Sequence, residues 1–106
     1  MAWDILIRGG TAIDGSGRPG EPADIAIAGG RIARIGPALA GAATRVIDAE
    51  GLAVTPGFID IKTHSDFTLP INPKAESKVR QGVTTEIVGH CGYSVEIGRA
   101  SCRERV

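Results

Sequence analysis

The chain has 106 residues, and its twelve Lys and Arg side chains balance its twelve Asp and Glu side chains. This length allows one small domain of ordinary size. The neutral balance gives no overall field that would attract a nucleic acid or an anionic membrane surface, so neither is an expected partner.

The start of the chain lacks the features of a secretory signal peptide. Residues 1–4 contain no basic region, and the apolar run at residues 5–7 is too short. No run approaches the roughly eighteen apolar residues of a membrane-spanning helix. These features predict a cytoplasmic protein, in which Cys91 and Cys102 are expected to be reduced thiols or a ligand rather than a disulfide.

The first half of the sequence has the pattern of short strands separated by glycine turns. Residues 3–8 predict a strand that ends at a Gly-Gly pair. Residues 24–27 and 31–35 alternate with period two around Gly29–Gly30, which predicts a tight hairpin. Residues 46–49 predict a further strand. We therefore expect antiparallel β-structure in this half of the chain.

The second half has a different pattern. Residues 58–61 are apolar on both parities apart from Asp60, as in a strand of a parallel sheet that is buried on both faces. A helix is predicted from Asn72, a suitable N-cap, to Gln81. Residues 83–88 form a second β-rich run. Strand, helix and strand together predict a βαβ unit and α/β architecture here.

Residues that could do chemistry lie near the expected ends of the two parallel strands. Period-two geometry predicts that Asp60, Lys62 and His64 share one face of the first strand. His90 and Cys91 follow the second strand, and neutral imidazole and thiolate both suit zinc. The ordinary alternatives are a loop histidine at 64 and, at 91, a buried thiol that behaves as a small hydrophobe. The residue types alone leave both interpretations open.

Two stretches of the sequence together resemble a known group of enzymes. Residues 54–60, followed by residues 63–66, are similar to the first-strand motif of the amidohydrolase superfamily, Pro-Gly-Phe-Ile-Asp-x-His-x-His. Residues 81–94 resemble, more narrowly, the N-acyl-D-amino-acid deacylase branch, where Gly-Asn-Cys-Gly is the usual form of what is Gly-His-Cys-Gly in this chain. The resemblance extends over nearly all of residues 1–95.

The resemblance implies an α/β parent fold, a metal-dependent (β/α)8 barrel flanked by a small β-sandwich. A complete barrel usually needs roughly 250 residues, so we expect this chain to be an amino-terminal fragment with the first β-strands and the first βαβ unit. The expected boundaries are 1–53 for the sandwich part, 54–95 for the start of the barrel and 96–106 for a non-native tail.

The last ten residues, 97–106, no longer resemble the family. They are what ATC GGA AGA GCG TCG TGT AGG GAA AGA GTG encodes, a string similar to a common short-read sequencing adapter. This tail, which includes Cys102, is therefore excluded from the fold predictions.

The resemblance also implies a chemistry, the zinc-dependent hydrolysis of the amide bond of N-acyl-D-amino acids, which are small-molecule substrates. His64 matches the second His of the first-strand motif and Cys91 matches a zinc-ligating cysteine, so these two are the expected metal ligands. Asp60, Lys62 and His90 are expected to line the site. Lys62 stands where the motif has its first His, and a protonated lysine repels a cation, which leaves the number of metals open.

The remaining functional groups of the family are not matched in this sequence. The resemblance places the proton-shuttling Asp and the later metal-binding histidines on strands beyond the fragment. No residue of this chain takes their place, so we expect the fragment alone to be inactive.

Two alternatives to this function remain. Amidohydrolases that act on cyclic amides, such as hydantoinases or dihydroorotases, share the first-strand motif but generally lack the Cys-Gly segment. A non-catalytic homologue that has lost metal binding belongs to a different class, and Lys62 is its main support. Later histidines and a late Asp in the continuing gene would favour the enzyme.

Overall fold

A computed structural model describes residues 2–92, which divide into two compact units. The first unit ends at Pro56 and the second begins at Gly57. The predictions for the tail at 97–106, including Cys102, lie outside the described residues. Within the described part of the chain, no helix is both long enough and apolar enough to cross a membrane.

The first unit is a five-stranded sheet built from β1 Ala2–Ala12, β2 Glu21–Ala28, β3 Arg31–Gly36, β4 Ala42–Asp48 and β5 Ala53–Val54. The order is β3-β2-β1-β4, and β5 also pairs with β1. The predicted hairpin is confirmed, since β2 and β3 pair antiparallel. Its turn is formed by Gly29 and Gly30, whose φ angles of 59° and 71° are the left-handed values that a tight hairpin requires.

The prediction of antiparallel strands before residue 50 is confirmed for β1, β2 and β3 and is wrong for β4. β4 pairs with β1 in parallel, with Ile5 opposite Arg45, and β5, which lies after residue 50, also pairs with β1 in parallel, with Thr11 opposite Ala53. Alternation with period two shows which faces a strand has but not the direction of its neighbour. Here the segment 37–41 leads from β3, at one end of the order β3-β2-β1-β4, to β4 at the other end, so β4 lies beside β1 and not beside β3.

The core of the first unit contains four buried side chains: Trp3, Leu6, Ala26 and Leu39. Leu39 comes from the segment between β3 and β4, and its backbone N–H donates to the buried carboxylate of Asp24 at 2.9 Å. The other oxygen of Asp24 accepts from the N–H of Gly9 at 3.0 Å. Because both carboxylate oxygens accept hydrogen bonds, a buried polar side chain is tolerated beside the core.

The second unit contains β6 Phe58–Asp60, α1 Ser65–Thr68, α2 Glu76–Val79 and β7 Val83–Glu86, followed by a 3-10 turn at His90–Gly92. β6 and β7 pair in parallel, which confirms the predicted pairing of these two strands. β6 ends at Asp60, one residue before the predicted end. The described residues are thus β-rich, and both helices within residues 2–92 are single turns.

The predicted helix over 72–81 is wrong in its start and its length. Asn72 is not the N-cap, because its backbone oxygen accepts the N–H of Ala75 at 3.1 Å and so closes a turn. Ala75 then has φ 47° and ψ 37°, a left-handed conformation in which the helix cannot continue, and α2 begins only at Glu76. Proline at 73 misled the prediction, since it suits the second position of a β-turn as well as the first turn of a helix.

Candidate functional site

The carboxyl ends of β6 and β7 carry the two acidic residues around which the candidate site is built. Asp60 ends β6 and Glu86 ends β7, and the two lie opposite each other in the parallel register. Parallel strands expose the groups that follow them at one common edge, which is where ligands bind in sheets of this kind. The two carboxylates therefore mark the edge at which His64 and Cys91 leave the sheet.

Gly57, the glycine of the first-strand motif, allows β6 to approach β7 closely. A Cβ atom at this position would overlap the side chain of Thr84 on β7. Immediately after it, the N–H of Phe58 donates to the carbonyl of Gly82 at 2.8 Å. The glycine is needed here for space between two strands, because only a residue without a Cβ fits this gap.

Lys78 of α2 joins the two carboxylates. Its Nζ lies 2.5 Å from Oδ2 of Asp60 and 3.5 Å from Oε1 of Glu86. The hydrogen bond from Lys78, and after it the bond from the backbone N–H of Lys62, hold the pKa of Asp60 below its ordinary value. The same bond to Asp60 raises the pKa of Lys78, although partial burial opposes the shift. Asp60 and Lys78 are therefore both charged at neutral pH.

The loop after β6 does not continue the strand. The prediction that Asp60, Lys62 and His64 share a strand face is wrong beyond Asp60, since Lys62 lies in a bend and His64 is the N-cap residue of α1. Oδ1 of Asp60 accepts the backbone N–H of Lys62 at 3.2 Å. An Asp side chain that bonds the backbone two residues later favours a turn over a strand, which explains the early end of β6.

His64 is exposed, but the residues on both sides of it are buried. Thr63 and Ser65 are 7% and 5% exposed, and their hydroxyl oxygens lie 2.7 Å apart. The hydroxyl of Ser65 donates to Oε1 of Glu86 at 2.7 Å, across the gap between α1 and β7. Hydrogen bonds of Thr63 and Ser65 thus hold the backbone at His64 in place.

The second strand leads to His90 and Cys91. Cys91 is exposed and has φ 59° and ψ 22°, a left-handed conformation that is uncommon for a residue with a side chain. Nε2 of His90 is buried and has no hydrogen-bond partner among residues 2–92. Asp60 and His90 also interact electrostatically, since His90 makes the smallest of the contributions that lower the pKa of Asp60.

Several residues of this region were missed by the sequence analysis. Lys78, Glu86 and Ser65 carry the ionic and hydrogen-bonded contacts described above, and Asp66 is buried with both carboxylate oxygens unpaired within the described part of the chain. Glu86 gave a signal as the single charge in an otherwise β-rich run, and Ser65 and Asp66 lie in the segment 63–66 that resembles the first-strand motif. Lys78 looks like an ordinary surface residue in the sequence.

Within residues 2–92, no group of three or more His, Cys, Asp and Glu side chains is arranged to hold a metal ion. Asp60 interacts with His90 and with the backbone of Lys62. The roles of His64 and Cys91 as metal ligands stay predictions.

Comparisons with known proteins identify the group to which this region is related. No family model matches the sequence. The N-acyl-D-aspartate deacylase of Alcaligenes xylosoxydans xylosoxydans is 47% identical over 92 residues, which cover 87% of this chain and 18% of that protein.

Two solved structures match in fold as well as in sequence. D-aminoacylase, described as defining a novel subset of amidohydrolases, has a TM-score of 0.83 and 45% identity, over 89% of this chain and 20% of that one. The N-acyl-D-glutamate deacylase of Bordetella bronchiseptica, solved with zinc and a phosphonate inhibitor, has a TM-score of 0.85 and 43% identity, over 91% of this chain and 20% of that one.

These matches show that the chain is related to the amidohydrolases. Within that class its relatives are the N-acyl-D-amino-acid deacylases and D-aminoacylase, which confirms the resemblance seen in the two sequence motifs. The chain spans about a fifth of the length of the relatives it matches.

Proposed function

We propose that this chain is part of a zinc-dependent hydrolase that cleaves the amide bond of N-acyl-D-amino acids, which are small-molecule substrates. The observation that carries the proposal is the 47% identity over 92 residues to an N-acyl-D-aspartate deacylase. That match includes 87% of this chain, so the relationship is not confined to a short motif. It favours a linear-amide deacylase over the cyclic-amide alternative.

The proposed parent fold is a (β/α)8 barrel in which β6 and β7 are the first two strands, with residues 54–95 as its beginning. A two-stranded sheet is at best marginally stable in water, so these strands need further neighbours. Their apolar side chains support this, since Phe58, Ile59 and Ile61 are 55%, 60% and 70% exposed. Residues 1–53 form the proposed contribution to a small β-sandwich beside the barrel.

His64 and Cys91 are the proposed zinc ligands, and their surroundings fit that role. A thiolate and a neutral imidazole are ligands that zinc prefers, and the thiol of Cys91 is exposed at the end of β7. The unusual backbone conformation of Cys91 costs free energy, and such strain is concentrated at functional sites. When bound, zinc would supply the Lewis-acid chemistry of amide hydrolysis.

The other predicted site residues have supporting roles in this proposal. Asp60 brings a negative charge to the edge from which the ligands extend and holds the turn through the backbone of Lys62. Lys62 offers an ammonium group where the motif has an imidazole, so it adds no ligand. His90 lies beside the proposed ligand Cys91. Zinc sites in enzymes generally have three protein ligands, so the remaining ones come from outside this chain.

A chimera tests the proposal. Residues 1–92 replace the matching segment of the Alcaligenes N-acyl-D-aspartate deacylase, and the purified protein is assayed for zinc content and for release of free D-aspartate from an N-acylated precursor. We expect zinc and turnover in the chimera and the loss of both in Cys91→Ala. Ser77→Ala, a change at an exposed serine of α2, is the control and should retain both.

Failure of this test has a definite meaning. A folded chimera that holds no zinc and releases no D-aspartate would contradict the proposal and favour the non-catalytic homologue. Release of product only from cyclic substrates would favour the hydantoinase-like alternative.

A further inference from the structure

Five side chains at the ends of β6 and β7 form one connected group, which we name the strand-end cluster. Four of them come from β6, α1, α2 and β7, and these are Asp60, Ser65, Lys78 and Glu86 in that order. The fifth, Thr63, comes from the loop before α1. The comparisons and the sequence motifs assign no role to Lys78 or Glu86. The cluster nevertheless encloses the loop that carries His64.

Glu86 is the centre of this cluster. Its Oε1 accepts the hydroxyl of Ser65 at 2.7 Å and lies 3.5 Å from the ammonium of Lys78. Its side chain is 14% exposed, so it is largely withdrawn from water. A carboxylate in such a place needs partners, and here it has one hydroxyl and one cation.

Lys78 offsets one of the two negative charges of the cluster. Without its ammonium, Asp60 and Glu86 would place two negative charges opposite each other in the parallel register, and like charges so placed destabilise a sheet. Lys78 reaches both of them from α2. The ends of the two strands are therefore held together by charge as well as by the backbone ladder.

Hydrogen bonds hold the residues on both sides of His64, Thr63 and Ser65, which belong to this cluster. The hydroxyl of Thr63 is bonded to that of Ser65, and the backbone N–H of Thr63 donates to the carbonyl of Ile87 at 3.3 Å. Ser65 in turn donates to Glu86. Each neighbour of His64 is thus fastened to the β7 side of the sheet, from which Cys91 also extends.

We infer that Glu86, through Ser65 and supported by Lys78, is a positioning residue that holds His64 at the zinc site. This inference deepens the proposed function and rests on it for the role of His64 as a ligand. Groups that orient a metal ligand typically contribute about 10-fold to 100-fold to metal affinity, although they do not touch the metal. The hydroxyl of Ser65 is the link through which Glu86 acts.

The experiment compares Ser65→Ala with Ser77→Ala in the full chain. Ser65→Ala removes the hydroxyl that joins the loop to Glu86 and leaves both Lys78 pairs in place. Ser77→Ala makes the same chemical change at an exposed position of α2. Ser65→Thr keeps the hydroxyl and serves as the rescue variant.

Two NMR measurements give independent results. The first is amide hydrogen exchange at Phe67, whose N–H donates to the carbonyl of His64 at 3.1 Å, and at Ile87, whose N–H donates to the carbonyl of Asp60 at 2.9 Å. The second is a titration with zinc ion alone, followed by the resonances of His64 and Cys91.

Ser65→Ala should speed exchange at Phe67 by about tenfold or more and leave Ile87 unchanged, and it should weaken zinc binding by about tenfold. Ser77→Ala should change neither quantity, and Ser65→Thr should restore both. Equal exchange at Phe67 in the two alanine variants would overturn the positioning role, as would equal acceleration at Phe67 and Ile87. If zinc shifts neither His64 nor Cys91 in the unaltered chain, the proposed zinc role fails, while the exchange result still decides whether the cluster fixes the loop.

Discussion

Leu6→Ala is expected to remove a large part of the stability of the first unit. Leu6 is the one large side chain that is fully buried among the described residues, and it packs in the core with Trp3, Ala26 and Leu39. Truncating a buried leucine to alanine typically costs about 2–5 kcal/mol. A unit of 56 residues has a free energy of unfolding of about 3–8 kcal/mol at the usual marginal stability per residue.

The measurement is urea unfolding followed by tryptophan fluorescence. Trp3 is the single tryptophan of the sequence and is 7% exposed in the same core, so its emission reports on the first unit. With a loss of about 3 kcal/mol and a urea dependence of about 1–1.5 kcal/mol per molar, the midpoint should fall by about 2–3 M.

The matched control is Leu52→Ala. Leu52 is 60% exposed, and a substitution at such a site usually changes the free energy of unfolding by less than about 0.5 kcal/mol. Equal midpoints for the two variants would refute the assignment of Leu6 to the core. If the unaltered chain shows no cooperative unfolding transition, the isolated chain does not form that core.

Three further predictions concern buried charge, pH and the isolated chain. Asp24→Asn should lower the free energy of unfolding, measured in urea, by about 1–3 kcal/mol, because one of the two backbone N–H donors then faces an amide NH2. Asp48→Asn, where the exposed carboxylate accepts the N–H of Glu50, should lower it far less. The lowered pKa of Asp60 means that its pair with Lys78 stabilises the second unit above about pH 4 and that this contribution is lost as the pH falls through the lowered pKa. A carboxyl-carbon NMR titration should therefore give a midpoint below about 3.9 that Lys78→Met moves upward, and an ordinary midpoint in the unaltered chain would contradict the ion pair. The chain alone should neither retain zinc on dialysis nor release free D-amino acid, since His64 and Cys91 are fewer than the three ligands of a zinc enzyme; a tightly bound zinc with turnover would contradict this.

The sequence predicted those features of the fold that depend on neighbouring residues. The hairpin at Gly29–Gly30 follows from alternation around two residues that adopt left-handed angles. The parallel pairing of β4 with β1 depends instead on the segment 37–41, which contacts residues that are distant from it in the sequence. The indole N–H of Trp3 donates to the carbonyl of Ala40 at 3.2 Å, and Asp24 binds Leu39. No local pattern reports contacts of that range.

The candidate site shows the same division. The apolar run at 58–61 located the end of β6 to within one residue, whereas β7 ends at Glu86, two residues before its predicted end. The ion pair of Lys78 with Asp60 was out of reach, because it requires the direction in which a one-turn helix points a side chain. The prediction that His64 shares a strand face with Asp60 is wrong for a related reason, since Asp60 turns the chain before the strand can continue to His64.

At some positions of the first-strand motif the turn depends on the side chain, and at others it depends only on the backbone. This difference explains how Lys62 can stand where the motif has a histidine. Gly57 and Asp60 hold geometry: the glycine leaves room for Thr84, and the carboxylate binds a backbone N–H and the ammonium of Lys78. At position 62 the turn uses the backbone N–H, which every residue except proline supplies. A change of side chain at 62 therefore alters the charge presented to a metal while the turn that leads to His64 is kept.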